Sequence, residues 1–195
     1  INMKRIILFL LTICFFANMS VQAQSKGQKM LNMARKGDVA AMRIVSGWYV
    51  NGIEGLKRDK TKGLFWARKA AEKGDLKAMY YVTLLIDDVS EKGEDSEKLY
   101  WALKGAKRYD ATLELITAQI YQRLGILMVE SDGNDYDYKY SDEKREQFLK
   151  DAIMYAKRAK NNYYTTSEIE SNAISVIKLS AGALSQLGVE INLEE

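Results

Sequence analysis

Gly37-Asp38-x-x-Ala41-Met42, Trp48-Tyr49-x-x-Gly52-x-x-Gly55-Leu56-x-x-Asp59-x-x-Lys62 and Trp66-x-x-Lys69-Ala70-Ala71-x-Lys73-Gly74-Asp75 follow one another between residues 37 and 75. The stretch closes on the Gly-Asp pair with which it opens, and Gly74-Asp75-x-x-Ala78-Met79 begins the cycle again after 37 residues. Self-similarity at that interval is the mark of stacked helical hairpins. Each part of the cycle has a physical role. Gly37 is suited to a left-handed cap that ends one helix, and Asp38 to capping the next. Ala41, Ile44, Val45, Trp48 and Tyr49 form one broad apolar stripe, with Ala41 small where two helices approach closely. Gly52 and Gly55 let the chain reverse, Asp59 caps the return helix, and Gly74 stops it.

These residues resemble the Sel1-like repeat (SLR), a relative of the tetratricopeptide repeat. Ala41, Tyr49, Gly55, Leu56, Asp59, Lys62, Trp66, Lys69, Ala70, Ala71 and Gly74 stand in roles that match the family pattern. The chain departs from it by one extra residue between Gly52 and Gly55, by Ser46 where Gly is usual, and by Gly63 where Ala is usual. The resemblance implies an all-α fold, an α/α-solenoid of stacked antiparallel hairpins in a tetratricopeptide-like superhelix. It also implies a binding scaffold, without naming a partner.

Outward from this repeat the pattern loosens. Residues 24–36 read as a short capping helix carrying Met30, Leu31 and Ala34. The second hairpin keeps Ala78, Val82, Leu85, Ile86 and Trp101, but a polar loop from Asp87 to Ser96 replaces the turn glycines. A third first-helix is expected from Ala111 to Val129, and its partner from Asp142 to Lys160. A last helix, from Thr166 to Leu187, closes the stack, making eight helices in all. Trp66 and Trp101, at repeat-consensus positions, are expected in the core. Lys62 and Lys69 are expected on a solvated face.

The segment 130–143 concentrates oxygen ligands. Read from Asp132 as an EF-hand, it places Tyr136 at position 5 and Asp137 where the turn needs Gly, so calcium fits poorly. Alternation of Tyr136, Tyr138 and Tyr140 would set three rings on one side of an extended segment, suited to a partner.

Met3-Lys4-Arg5 followed by the apolar run Ile6 to Ala17 has the form of a secretory signal, with Val21-x-Ala23 before a cleavage site. Residues 1–23 are therefore expected to be a signal peptide and 24–195 the repeat domain. The apolar run is short of the roughly 20 residues that span a bilayer, so no stable membrane insertion is expected after cleavage. Cys14, the single cysteine, offers the alternative of a lipid anchor, although Ile13 is bulky for such a site. Removing the leader leaves 27 basic and 26 acidic side chains. That balance gives no footprint for nucleic acid.

The sequence has no histidine, and no cysteine beyond Cys14. Ser-His-Asp and Cys-His catalysis and ordinary zinc sites are thereby excluded from the mature chain, and no cofactor motif is present. The reading is an exported, non-catalytic scaffold for a protein or peptide, periplasmic or secreted. The alternatives are an envelope enzyme acting on glycan through a carboxylate pair and a self-associating structural protein. Arg43 and Tyr80, at the same repeat offset, and Gln119 and Gln122, which fall in the third repeat where Leu84 and Asp87 lie in the second, are the candidate partner-binding residues.

Overall fold

The computed structural model describes residues 25–89, 95–130 and 136–193. The expected signal peptide and Cys14 lie outside the described residues, as does part of the 130–143 segment. Among the described residues eight helices follow in chain order: α1 (Lys26–Arg35), α2 (Val39–Asn51), α3 (Lys60–Glu72), α4 (Leu76–Val89), α5 (Asp95–Ala106), α6 (Ala111–Ile126), α7 (Asp142–Lys160) and α8 (Ser167–Gln186). Each packs against its successor, and α6 also touches α8. The hairpins α2–α3, α4–α5 and α6–α7 therefore stack side by side, with α1 and α8 as the flanking helices. This is the α/α-solenoid that the repeat pattern predicts.

The Gly-Asp punctuation acts as expected. Asp38, Asp75 and Asp110 each accept a hydrogen bond from the backbone N–H three residues on, at 2.8, 2.8 and 3.0 Å. One orphan donor of each first helix is thereby satisfied. Gly37 and Gly74, just before the first two, sit at φ +101° and +92°, where a Cβ is strained. Across the first hairpin's turn, the Asp59 N–H donates to the Tyr49 carbonyl at 2.7 Å. Gly27 is required where α1 docks on that turn, because a Cβ there would lie 2.4 Å from the Glu54 carbonyl oxygen.

The core runs along the stack instead of filling one centre. Trp66 and Trp101 are buried in it together with Val45, Leu64, Met79, Val82 and Ile86. Burial of such side chains stabilises by about 1.5–3 kcal/mol each. Arg43 joins α2 to the cap of α4 through Asp75, and Arg68 of α3 forms a two-pronged pair with Glu97 of α5 at 2.7 and 2.6 Å. At the far end Leu187, Val189 and Ile191 fold back over Leu149, Ile153 and Leu184. Apolar surface on α7 and α8 is covered there.

The two departures from the family pattern in the first repeat face each other. Ser46 is fully buried, and its hydroxyl donates to the Gly63 carbonyl at 2.8 Å. A Cβ on Gly63 would lie 2.6 Å from Val50 Cγ2 and 3.2 Å from the Ser46 carbonyl. Bulk added on α2 is matched by bulk removed from α3. The same compensation recurs between hairpins. Ala70 and Ala78 stand eight residues apart in α3 and α4, and Gly105 and Leu113 hold the equivalent positions in α5 and α6. A Cβ on Gly105 would meet Leu113 Cδ1.

Two boundaries differ from the sequence reading. Helix α4 continues through Asp87 to Val89 and α5 begins at Asp95, so the second loop is shorter than expected. Helix α6 stops at Ile126 and does not reach Val129. Leu127 is extended (φ −67°, ψ 116°), and Met128–Glu130 forms a strand, β1, antiparallel to β2 (Tyr136–Tyr138). The insertion between α6 and α7 is thus a small β-hairpin on an otherwise helical array. After it, Tyr140 packs edge-on against Phe148 at 5.1 Å.

Candidate interaction surface

The first helices of the three hairpins, α2, α4 and α6, line a common face together with the flanking helix α8, and that face carries three grooves. One of about 210 Å³ lies between α2 and α4, walled by Ser46, Val50, Tyr81 and Leu84. The second, about 290 Å³, lies between α4 and α6 around Leu84, Ile116, Gln119 and Arg123. The third and largest, about 580 Å³, is bounded by α4, α6 and α8, with Tyr80, Leu84, Leu115, Ile116, Gln119 and Ile169 on its walls. Leu84 lines all three and is 50% exposed. Its position explains why. Val82, Leu85 and Ile86 occupy the inward stripe of α4, so Leu84 projects from another side of the helix, into the surface. Lys77, Glu168 and Asp110 stand around the largest groove, and Asp110 is also the cap of α6. The walls are mainly apolar and the charges are mixed.

The four candidate residues do not form one cluster. Tyr80 and Gln119 both line the largest groove. Arg43 is held elsewhere, its Nε donating to Asp75 Oδ2 at 3.1 Å, and so fastens the first hairpin to the second. Gln122 reaches α8, its amide donating to the Val176 carbonyl at 3.2 Å and lying 3.5 Å from Ser180 Oγ. Both side chains make hydrogen bonds that join neighbouring parts of the stack. The residue missed by periodicity is Leu84. One signal was available: Met79 to Ile86 is apolar or aromatic at every position but Thr83, more than a single buried stripe requires.

A second, separate recess of about 510 Å³ opens at the junction of the α5–α6 loop with the end of α7. Its floor is polar. Glu114, 1% exposed, accepts from Arg158 Nη2 at 2.7 Å and from Asn162 Nδ2 at 3.0 Å. The Arg158 guanidinium sits over the Tyr155 ring at 5.1 Å and the Tyr109 ring at 5.6 Å. Asn162 also donates to the Tyr109 carbonyl at 2.9 Å and accepts from the Tyr164 N–H at 3.0 Å. Lys62 and Lys69 lie exposed on a solvated face, as expected. Lys62 pairs with Asp59 at 2.8 Å, and Lys69 lies over the Phe65 ring at 5.0 Å.

A crystal structure of a Sel1 repeat protein from Oxalobacter formigenes matches 85% of this chain and 56% of its own, with a TM-score of 0.50 and 22% sequence identity. The fold is the Sel1-like repeat solenoid. No family model matches the chain. Shorter stretches are similar to parts of larger proteins. One is 44% identical over 46 residues to the ERAD-associated E3 ubiquitin-protein ligase component HRD3A of Arabidopsis thaliana. Another is 36% identical over 66 residues to chitin synthase regulatory factor 3 of Schizosaccharomyces pombe. These stretches cover 24% and 33% of this chain, and the chain spans about 7% of the length of each of these relatives. The shared fold accounts for the stacked hairpins.

Proposed function

We propose that this Sel1-like repeat chain is an exported, non-catalytic scaffold that holds a protein or peptide partner on the face of its first helices. The observation that carries the reading is Leu84. It is half exposed, central to the face, and shared by three grooves that follow one another from α2 to α8. A segment laid across the first helices would cover Leu84 and the apolar walls of Ile116 and Leu115, while Gln119 and Tyr80 offer hydrogen bonds. Several shallow contacts of this kind sum to a specific interface around one buried anchor. Export is supported by the basic and apolar residues of 3–17 with the small residues at 21 and 23.

The test is selection of peptides from a displayed library against the purified chain, followed by titration of the best peptide into Leu84→Glu. Leu84 is already half open to water, so the substitution should leave far-UV circular dichroism and melting unchanged. Loss of one buried leucine contact, about 1.5–3 kcal/mol, corresponds to at least tenfold weaker binding. Peptides that bind Leu84→Glu as tightly as the parent would remove the first-helix face from the mechanism.

A further inference from the structure

The array supplies its own reference for what a hairpin junction needs. Aligning the three capping aspartates, Asp38, Asp75 and Asp110, places Gly37, Gly74 and Tyr109 at one position and Met42, Met79 and Glu114 at another. The third junction therefore breaks the pattern twice. Tyr109 adopts the left-handed backbone of the glycines it replaces, at φ +59°, a conformation that a bulky aromatic residue rarely takes. Glu114 puts a charge at a site that is apolar and buried in both other hairpins, where desolvation opposes it. Neither change improves packing. Both converge on the recess described above.

What the changes build is a hydrogen-bonded polar floor under exposed rings. Glu114 fixes Arg158 and Asn162, and Asn162 in turn holds the backbone of Tyr109 and Tyr164. Above it, Tyr109, Tyr163 and Tyr164 are 74%, 92% and 77% exposed, and the last two stand perpendicular at 5.1 Å. Exposed aromatic rings on a held backbone are ready to bind without further ordering. Lys157 and Asn161 complete the rim and also border an adjoining recess of about 270 Å³ that carries Lys160 and Lys178. No lining residue is shared with the first-helix grooves.

We propose that this junction is a second binding site, specific for an acidic saccharide. A pyranose has a flat C–H face that covers a tyrosine ring and a rim of hydroxyls that suits Asn161 and Lys157. An acid group on it or on the next sugar would face Lys160 and Lys178. A cationic ligand is opposed by the lysines and by Arg158, which already occupies the space between Tyr109 and Tyr155. An aromatic peptide side chain would cover the rings but offer no hydroxyls to the amide and lysine of the rim. The site is independent of the partner face and stands or falls separately from it.

The test uses the chain on an array of uronate-, sialate- and sulfate-bearing oligosaccharides beside neutral ones, with calorimetric titration of the best binder. Two variants separate binding from folding. Tyr109→Gly restores the array's own residue and relieves the backbone, so its melting temperature should hold or rise. Tyr163→Ala with Tyr164→Ala removes two rings that are mostly in water. Retention of acidic glycans, with affinity reduced about tenfold or more in both variants at unchanged melting, is the expected result. Retention of no glycan overturns the proposal. So does equal retention of neutral glycans, or affinity unaltered in the tyrosine variants. Tighter capture of a single-stranded oligonucleotide that is lost in the same variants would assign the rings to base stacking instead.

Discussion

Replacing Glu114 by methionine gives the third hairpin the residue that the first two already have, and the structure sets what it should cost. Glu114 is buried and makes two short hydrogen bonds, to Arg158 at 2.7 Å and Asn162 at 3.0 Å. Bonds of this charged kind are worth about 1.5–3 kcal/mol each, so about 3–6 kcal/mol is at stake. Methionine returns about 1.5–3 kcal/mol by burial. Arg158 keeps its bond to the Ala106 carbonyl at 3.0 Å, and its side chain, 35% exposed, can partly hydrate. The net expectation is a loss of about 2 kcal/mol, within a range of roughly 0–4.5. Adding Arg158→Lys restores the residue at the equivalent position of the other second helices, Lys69 three residues after Trp66 and Lys104 three after Trp101, and should recover about half of the loss. Urea denaturation of the two single variants and the double measures this coupling. Amide exchange at Tyr164 should quicken in Glu114→Met, because Asn162 loses the carboxylate that orients it. A Glu114→Met chain as stable as the parent, with unchanged exchange, would refute the view that the ion pair builds the junction.

Gly105→Ala should destabilise by about 1–3 kcal/mol, because its Cβ would meet a buried Leu113 that has nowhere to move. Gly105→Ala with Leu113→Ala restores the Ala70–Ala78 arrangement, and in denaturant melts should cost less than the two single losses combined. The pair of Arg68 with Glu97 should give a pH signature. Hydrogen bonds from Arg68 hold the Glu97 carboxyl below its ordinary value of 4.5, against an opposing effect of burial. A depressed carboxylate contributes stability that is present above about pH 4.5 and lost as pH falls through its folded value. Thermal melts of Glu97→Gln should therefore show a shallower acid limb than the parent, and identical limbs would remove this pair from the account of acid sensitivity.

The fold was readable because repetition states it more than once. Asp38, Asp75 and Asp110 each announce a helix start, and Trp66 and Trp101, 35 residues apart, take the same buried role. Where the chain speaks once, reading was harder. Ile126-Leu127-Met128-Val129 continues the apolar pattern of α6, yet the backbone turns extended at Leu127 to pair with β2. Strands of three residues are too short for alternation to distinguish them from a helix end. The candidate site suffered from a different limit. A helical wheel describes where a side chain leaves its own helix, and it ignores what the next hairpin brings within reach. Arg43 leaves α2 at the expected angle but meets Asp75, 32 residues along the chain. Gln122 meets α8, 54 residues away at Val176.

Self-comparison of the repeats goes further than the wheel, because it separates two kinds of departure. Ser46 with Gly63, and Gly105 with Leu113, are changes that answer each other, bulk gained on one helix being bulk given up by its neighbour. Such pairs conserve volume and leave the stack as it was. Tyr109 and Glu114 are not of this kind. One strains the backbone, the other buries a charge, and the neighbours that answer them, Arg158 and Asn162, are themselves polar and border an open recess. Packing alone would favour the glycine and the methionine seen in the other two hairpins. A cost kept in one junction and absent from its equivalents points to a task that only that junction performs, which is why the tyrosine-walled recess, more than the first-helix grooves, is where this chain departs from a generic repeat scaffold.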